Sequence, residues 1–258
     1  MKRATGILAA IALAAGFSGC GNASTSPPAG GTEKTLTVFA AASLKSSFTE
    51  LAETYETQHP GTKVVLNFAG SSDLATQIVQ GAPADVFAAA DSRNMGKVAD
   101  AGLTDGEPAV FATNTLAIAV PAGNPAGISS FADLAKAGTR VVVCARQVPC
   151  GAAAATVAER RGTALKPVSE DNSVTDVLGK VMSGEADAGL VYVTDVRSAG
   201  DKVESVPFPE AEAAVNSYPI TVLAGAQDKE AARVFLDLVT GDEGQSVLAD
   251  AGFGAGGK

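Results

Sequence analysis

Val38-Phe39-Ala40-Ala41-Ala42-Ser43-Leu44 is an apolar run that ends in small residues and a serine, and Leu44, Phe48, Leu51, Ala52 and Tyr55 follow at helical spacing. It reads as a strand, a tight turn and a helix start. Leu66-Asn67-Phe68-Ala69-Gly70-Ser71-Ser72 repeats the arrangement, and so do Val141 to Val143 leading into Val148-Pro149-Cys150-Gly151, and Asp171-Asn172-Ser173-Val174. Each junction offers backbone N–H groups that have no partner within the helix, and two add serine hydroxyls. Such helix starts hold anions without a counter-charge.

Outward from these junctions, strand and helix patterns alternate. Strands are expected near residues 35–40, 63–68, 85–90, 115–120, 139–143, 189–193 and 219–223. Helices are expected after most of them, with Ala152 to Arg161 and Val174 to Val181 the clearest. The order predicts right-handed crossovers and a largely parallel sheet. It does not distinguish one doubly wound sheet from two smaller lobes.

The N-terminus stands apart. Lys2 and Arg3 precede the apolar run Ile7 to Ala15, and Phe17-Ser18-Gly19-Cys20 closes it. This is a secretory signal, too short to span a bilayer, and its end resembles a bacterial lipobox with Cys20 as the lipidated residue. Residues 21–34 are small and polar and read as a flexible tether. Without Lys2 and Arg3 the formal charge moves from −9 to −11. A chain this acidic, with no basic cluster, is a poor nucleic-acid binder. Any anion site must therefore act at short range, through dipoles and hydrogen bonds.

Catalytic and metal readings find little support. The single histidine, His59, lies in the turn Gln58-His59-Pro60, where it cannot serve a triad. Zinc lacks ligands. Gly252 to Lys258 matches G-x-x-x-x-G-K by letter, but no Ser/Thr or helix follows, and a flexible terminus is expected. Cys144 and Cys150, six residues apart in an oxidising compartment, are read as a disulfide pair; two buried small apolar residues are the alternative. Ser43, Ser71 and Ser72 each have an ordinary reading as helix caps. Tyr192, at the end of an apolar strand beside Asp195, has one as a half-buried aromatic.

The junctions Val38 to Leu44 and Phe68 to Ile78, then Gly81-Ala82-Pro83-Ala84-Asp85-Val86-Phe87, Ala90-Asp91, Asn114-Thr115-Leu116, Val148-Pro149-Cys150-Gly151 and Gly189-Leu190-Val191-Tyr192, resemble the molybdate-binding proteins of bacterial ABC transporters. The resemblance runs in order over residues 35 to 254. It implies an α/β type II periplasmic-binding fold, with two lobes joined by two hinge crossings near Thr113-Thr115 and Ser217-Pro219. One lobe would hold residues 35–115 plus 219–258, and the other residues 116–218. It implies ligand donors at Ser43 and Ser71 (hydroxyls), Cys150 and Val174 (backbone N–H) and Tyr192 (hydroxyl). The family commonly carries a small or aromatic residue where Cys150 stands, a difference to which a backbone donor is indifferent.

The resemblance further implies a non-enzymatic receptor for molybdate, and for tungstate, without a cofactor. It would be a monomer, held by lipid on the extracytoplasmic face of the cytoplasmic membrane, and would deliver its ligand to an ABC permease. A deprotonated oxyanion only accepts hydrogen bonds, so a ring of neutral donors suits it and rejects protonated anions. No single Lys or Arg is then expected to matter for binding. The competing readings are a receptor for sulfate or another tetrahedral anion, a serine hydrolase using Ser43 or Ser71, and the effector domain of a transcription regulator.

Overall fold

In the computed structural model, which describes residues 34–257, the chain builds two sheets. The signal, Cys20 and nearly all of the tether lie outside the described residues. The strands in chain order are β1 (Lys34–Ala41), β2 (Thr62–Ala69), β3 (Val86–Ala88), β4 (Ala109–Asn114), β5 (Leu116–Pro121), β6 (Val141–Cys144), β7 (Ser169–Asp171), β8 (Ala188–Tyr192), β9 (Val203–Val206), β10 (Asn216–Val222) and β11 (Gly254–Ala255). One sheet has the order β11-β4-β10-β3-β1-β2, and the other β7-β6-β8-β5-β9. The chain passes from the first to the second at Thr115. It returns through residues 207–215, entering β10 at Asn216.

The expected parallel arrangement holds only in part. β1 pairs in parallel with β2 and β3, and β6 with β7 and β8. β4, β5, β9, β10 and β11 pair antiparallel to their neighbours. Parallel pairs come from strand–helix–strand crossovers within one half. A chain that leaves one sheet and comes back must run against the local direction, which alternation along the sequence does not encode. The expected flexible terminus is also corrected: Gly254 and Ala255 pair with Thr113 and Ala112 of β4.

The helices are α1 (Lys45–Gln58), α2 (Ser71–Val79), α3 (Ser92–Asp100), α4 (Pro149–Arg161), α5 (Val174–Met182), α6 (Val193–Ala199), α7 (Lys229–Thr240) and α8 (Asp242–Ala251). Their ends follow local chemistry. Asp91 caps α3 by accepting from the Asn94 N–H, and Ser173 caps α5 by accepting from Asp176. Pro149 occupies the first position of α4, which closes with Arg160, Arg161 and the left-handed Gly162. Each half buries its own apolar cluster. Phe48, Tyr55, Phe111 and Phe235 lie in the six-stranded half, with Ile118, Phe131, Val142 and Leu190 in the five-stranded half.

Candidate anion-binding site

The carboxyl ends of the parallel strands of both halves face one another, as ligand sites in open α/β sheets require. Ser43 sits in a short 3-10 turn after β1 (Ala42–Leu44), Ser71 opens α2, Cys150 lies in the first turn of α4, Val174 opens α5 and Tyr192 ends β8. All five line one small cavity, of about 10 Å³, together with Ala41, Ala42, Gly70, Ala90, Val148 and Pro149. No charged side chain is among them. The Cys150 and Val174 N–H groups fall within the first helical turn, where no backbone acceptor of the same helix reaches them.

The serines do not cap their helices. The N-cap positions are Ala41 and Gly70, and neither serine makes a capping bond. Instead, Ser71 Oγ accepts a hydrogen bond from the Ala90 N–H at 3.0 Å, which leaves its own proton to donate. Ser43 Oγ lies 2.9 Å from the Tyr218 hydroxyl. Burial pushes the Tyr218 phenol well above its ordinary pKa, so it stays protonated. With Tyr218 donating, the Ser43 proton is free for the cavity. The Tyr192 hydroxyl is buried beside Tyr218 and makes no well-formed hydrogen bond within the fold, and burial likewise pushes its pKa well up. An orphaned buried hydroxyl costs about 1–3 kcal/mol, so its partner is to be sought in a ligand. Ser72 Oγ is also buried and unpaired, but Ser72 does not line the cavity.

Three supporting groups escaped the sequence reading. Tyr218 appeared there only as part of a crossing; that it is one of three tyrosines was the available signal. Asp195 Oδ2 accepts from the Tyr192 N–H at 2.9 Å and so fixes the turn that aims the tyrosine. Its burial raises the carboxyl pKa to about 7, against the smaller lowering effect of that N–H. Gly70 meets the five-stranded half backbone to backbone. A Cβ added there would fall on the Asn172 carbonyl oxygen, so this approach requires glycine. The loop that presents Cys150 is closed by a Cys144–Cys150 disulfide.

The hydrolytic alternative finds no chemistry here. His59 ends α1, stacked on Tyr55 at 4.3 Å, and does not line the cavity. No Asp, Glu or His lines the cavity to act as a base for Ser43 or Ser71. Among the described residues, no group of three or more His, Cys, Asp or Glu could hold a metal ion, and no helix is long and apolar enough to cross a membrane.

Residues 36–254 match the family model described as bacterial extracellular solute-binding protein. The chain is 51% identical over 252 residues to the molybdate-binding protein ModA of Mycobacterium tuberculosis, covering 96% of each. Among solved structures it is similar to the substrate-binding domain of a putative molybdenum ABC transporter from Clostridium difficile, at 26% identity and TM-score 0.64, covering 86% of this chain and 98% of that one. The sulfate-binding protein SubI of Mycobacterium tuberculosis shares the fold, with TM-score 0.74 at 19% identity over 85% of this chain and 86% of that one.

Proposed function

The chain belongs to the bacterial extracellular solute-binding proteins, and on that premise we propose that it captures molybdate, and tungstate with it, for delivery to an ABC importer. The two sheet-based halves act as lobes, residues 34–115 with 216–257 and residues 116–215, hinged at the two passages between the sheets. The anion sits between them and accepts from the Ser43, Ser71 and Tyr192 hydroxyls and from the Cys150 and Val174 N–H groups. A lipid on Cys20 and the tether after it hold the monomeric receptor at the extracytoplasmic face of the membrane. Mass spectrometry of the mature N-terminus checks the anchor; an unmodified start elsewhere would refute it.

The observation that carries this reading is the gathering of five neutral donors, one an unpaired buried hydroxyl, around one cavity without a charged side chain in its lining. Neutral donors suit a fully deprotonated dianion. Size then separates anions of equal charge and shape. Donors on helix starts cannot contract around the smaller sulfate without straining the packing that carries them. Loss of the equivalent of two charge-assisted bonds, at about 1.5–3 kcal/mol each, weakens binding by at least about a hundredfold. Calorimetric titration with molybdate, tungstate, sulfate and phosphate tests this. Molybdate and tungstate should bind far more tightly than the others; equal affinity for sulfate would sink the size gauge.

A further inference from the structure

Two arginines bridge the halves without touching the cavity. Arg93, in the first turn of α3, donates from Nη2 to the Gln147 carbonyl at 2.9 Å and to the Arg146 carbonyl at 3.2 Å. Both acceptors belong to the five-stranded half, inside the loop closed by the Cys144–Cys150 disulfide. Asn94 adds a long contact to the same Gln147 carbonyl, at 3.4 Å. Asp91 orients the pair: its Oδ1 takes the Asn94 backbone and side-chain N–H groups, and its Oδ2 lies 3.7 Å from the Arg93 guanidinium. The second bridge has the opposite polarity. Arg197, in α6 of the five-stranded half, donates from Nη1 to the Asp250 carbonyl at the end of α8, at 3.1 Å. Each half thus lends one guanidinium to a carbonyl of the other.

We propose that Arg93 and Arg197 are latches that hold the two lobes shut, so that they govern anion release while making no contact with the anion. The proposal rests on the functional reading above. Neither guanidinium is neutralised by a close carboxylate across the lobes, and all three acceptors are backbone carbonyls. The bridges therefore form only when the halves approach as they do here, and rotation at the passages between the sheets must break them. A latch made after the encounter slows opening and leaves the rate of capture almost unchanged. The disulfide adds to this: with its ends tied, the loop presents the Arg146 and Gln147 carbonyls and the Cys150 N–H as one unit, so that closing the latch and placing the donor are a single event. This departs from the expectation that no single Arg matters for binding. The charge is used for closure and not for the anion.

The test compares wild type, Arg93→Ala, Arg197→Ala and the double variant in calorimetry with molybdate, in release of radiolabelled molybdate into excess unlabelled ligand, and in small-angle scattering. Each single variant should raise Kd and koff together by about three- to tenfold, as loss of two exposed charge-assisted bonds at Arg93 or one at Arg197 implies. The double variant should approach the product of the two, since the bridges are made by separate elements. The association rate should change by less than about twofold, and the preference for molybdate over sulfate should stand, because the donor ring is intact. A merely structural role would lower the melting temperature without this split between rates. If koff of the double variant stays within about twofold of wild type, the latch is wrong. If wild type takes none of the anions, the functional reading fails instead, and scattering decides the latch on unliganded protein: a larger radius for the double variant supports it, and equal radii overturn it.

Discussion

The two halves hold their side of the site by different means. In the six-stranded half the proposed donors are side chains, Ser43 and Ser71, each tuned by a further partner: the Tyr218 hydroxyl for one and the Ala90 N–H for the other. In the five-stranded half two of the three are backbone N–H groups, at Cys150 and Val174, whose aim depends on a braced loop and a capped helix. A side-chain donor can be deleted by one substitution. A backbone donor survives any substitution that leaves the chain's path alone. The first half is therefore fragile to changes of residue, and the second to changes of loop geometry.

Ser71→Ala should break this comparison most severely. It removes a donor and leaves the buried Ala90 N–H without its acceptor, so molybdate affinity should fall by about a hundredfold or more and stability by about 1–3 kcal/mol. Calorimetry and thermal melts read both. Tyr192→Phe should weaken binding by roughly 10- to 100-fold, with the opposite sign on stability. The unliganded protein loses an unpaired buried hydroxyl and should melt at the same temperature or higher. A lower melting temperature would show that the hydroxyl is already satisfied within the fold.

Milder effects are expected from the backbone-donor side. Replacing Cys144 and Cys150 together by alanine keeps the Cys150 N–H and should cost about fivefold in affinity or less. A short disulfide loop also contributes only about 2–3 kcal/mol to stability. A loss as large as that of Ser71→Ala would mean that loop stiffness, and not the presence of the donor, sets affinity in this half.

The smallest effect on affinity concerns Asp195, whose carboxyl pKa is raised by burial to about 7 in the folded chain. The unfolded carboxyl ionises near its ordinary value of about 3.9. The folded state therefore binds this proton more tightly, and the contribution of Asp195 to stability is fully present below about pH 4 and is lost as pH rises through about 7. Melting temperatures of wild type should decline over that window beyond what the rest of the chain imposes. Asp195→Asn keeps an acceptor for the Tyr192 N–H and should flatten the decline. Parallel curves for the two proteins would place the titration elsewhere.

Much of the frame was legible along the chain because it is local. β1, β2, β6 and β8 are apolar runs, and the helix starts after β1, β2, β6 and β7 carry small or polar residues in the right order. β7 is Ser169-Glu170-Asp171, a short edge strand with no apolar signal of its own, marked in the sequence only by the junction Asp171 to Val174 that follows it. β10 begins at Asn216, ahead of the expected start at Pro219, since Asn216 and Ser217 pair by position opposite β4 and not by hydrophobicity. The ordinary reading of the serines as helix caps draws on nearby sequence alone. Ser71 found its partner 19 residues away and Ser43 found its own 175 away.

The sequence by itself determined the alternation of elements and the run of anion-friendly helix starts, because each depends on residues a few positions apart. Only the tertiary structure decided that Ser43, Ser71, Cys150, Val174 and Tyr192 line one cavity, that Gly70 abuts Asn172 and that Arg93 and Arg197 reach across. Those facts join segments that are distant in the chain and belong to two separately packed sheets. Their approach is set by core packing and by the two passages between the sheets, for which no short-range pattern in the sequence has a sign.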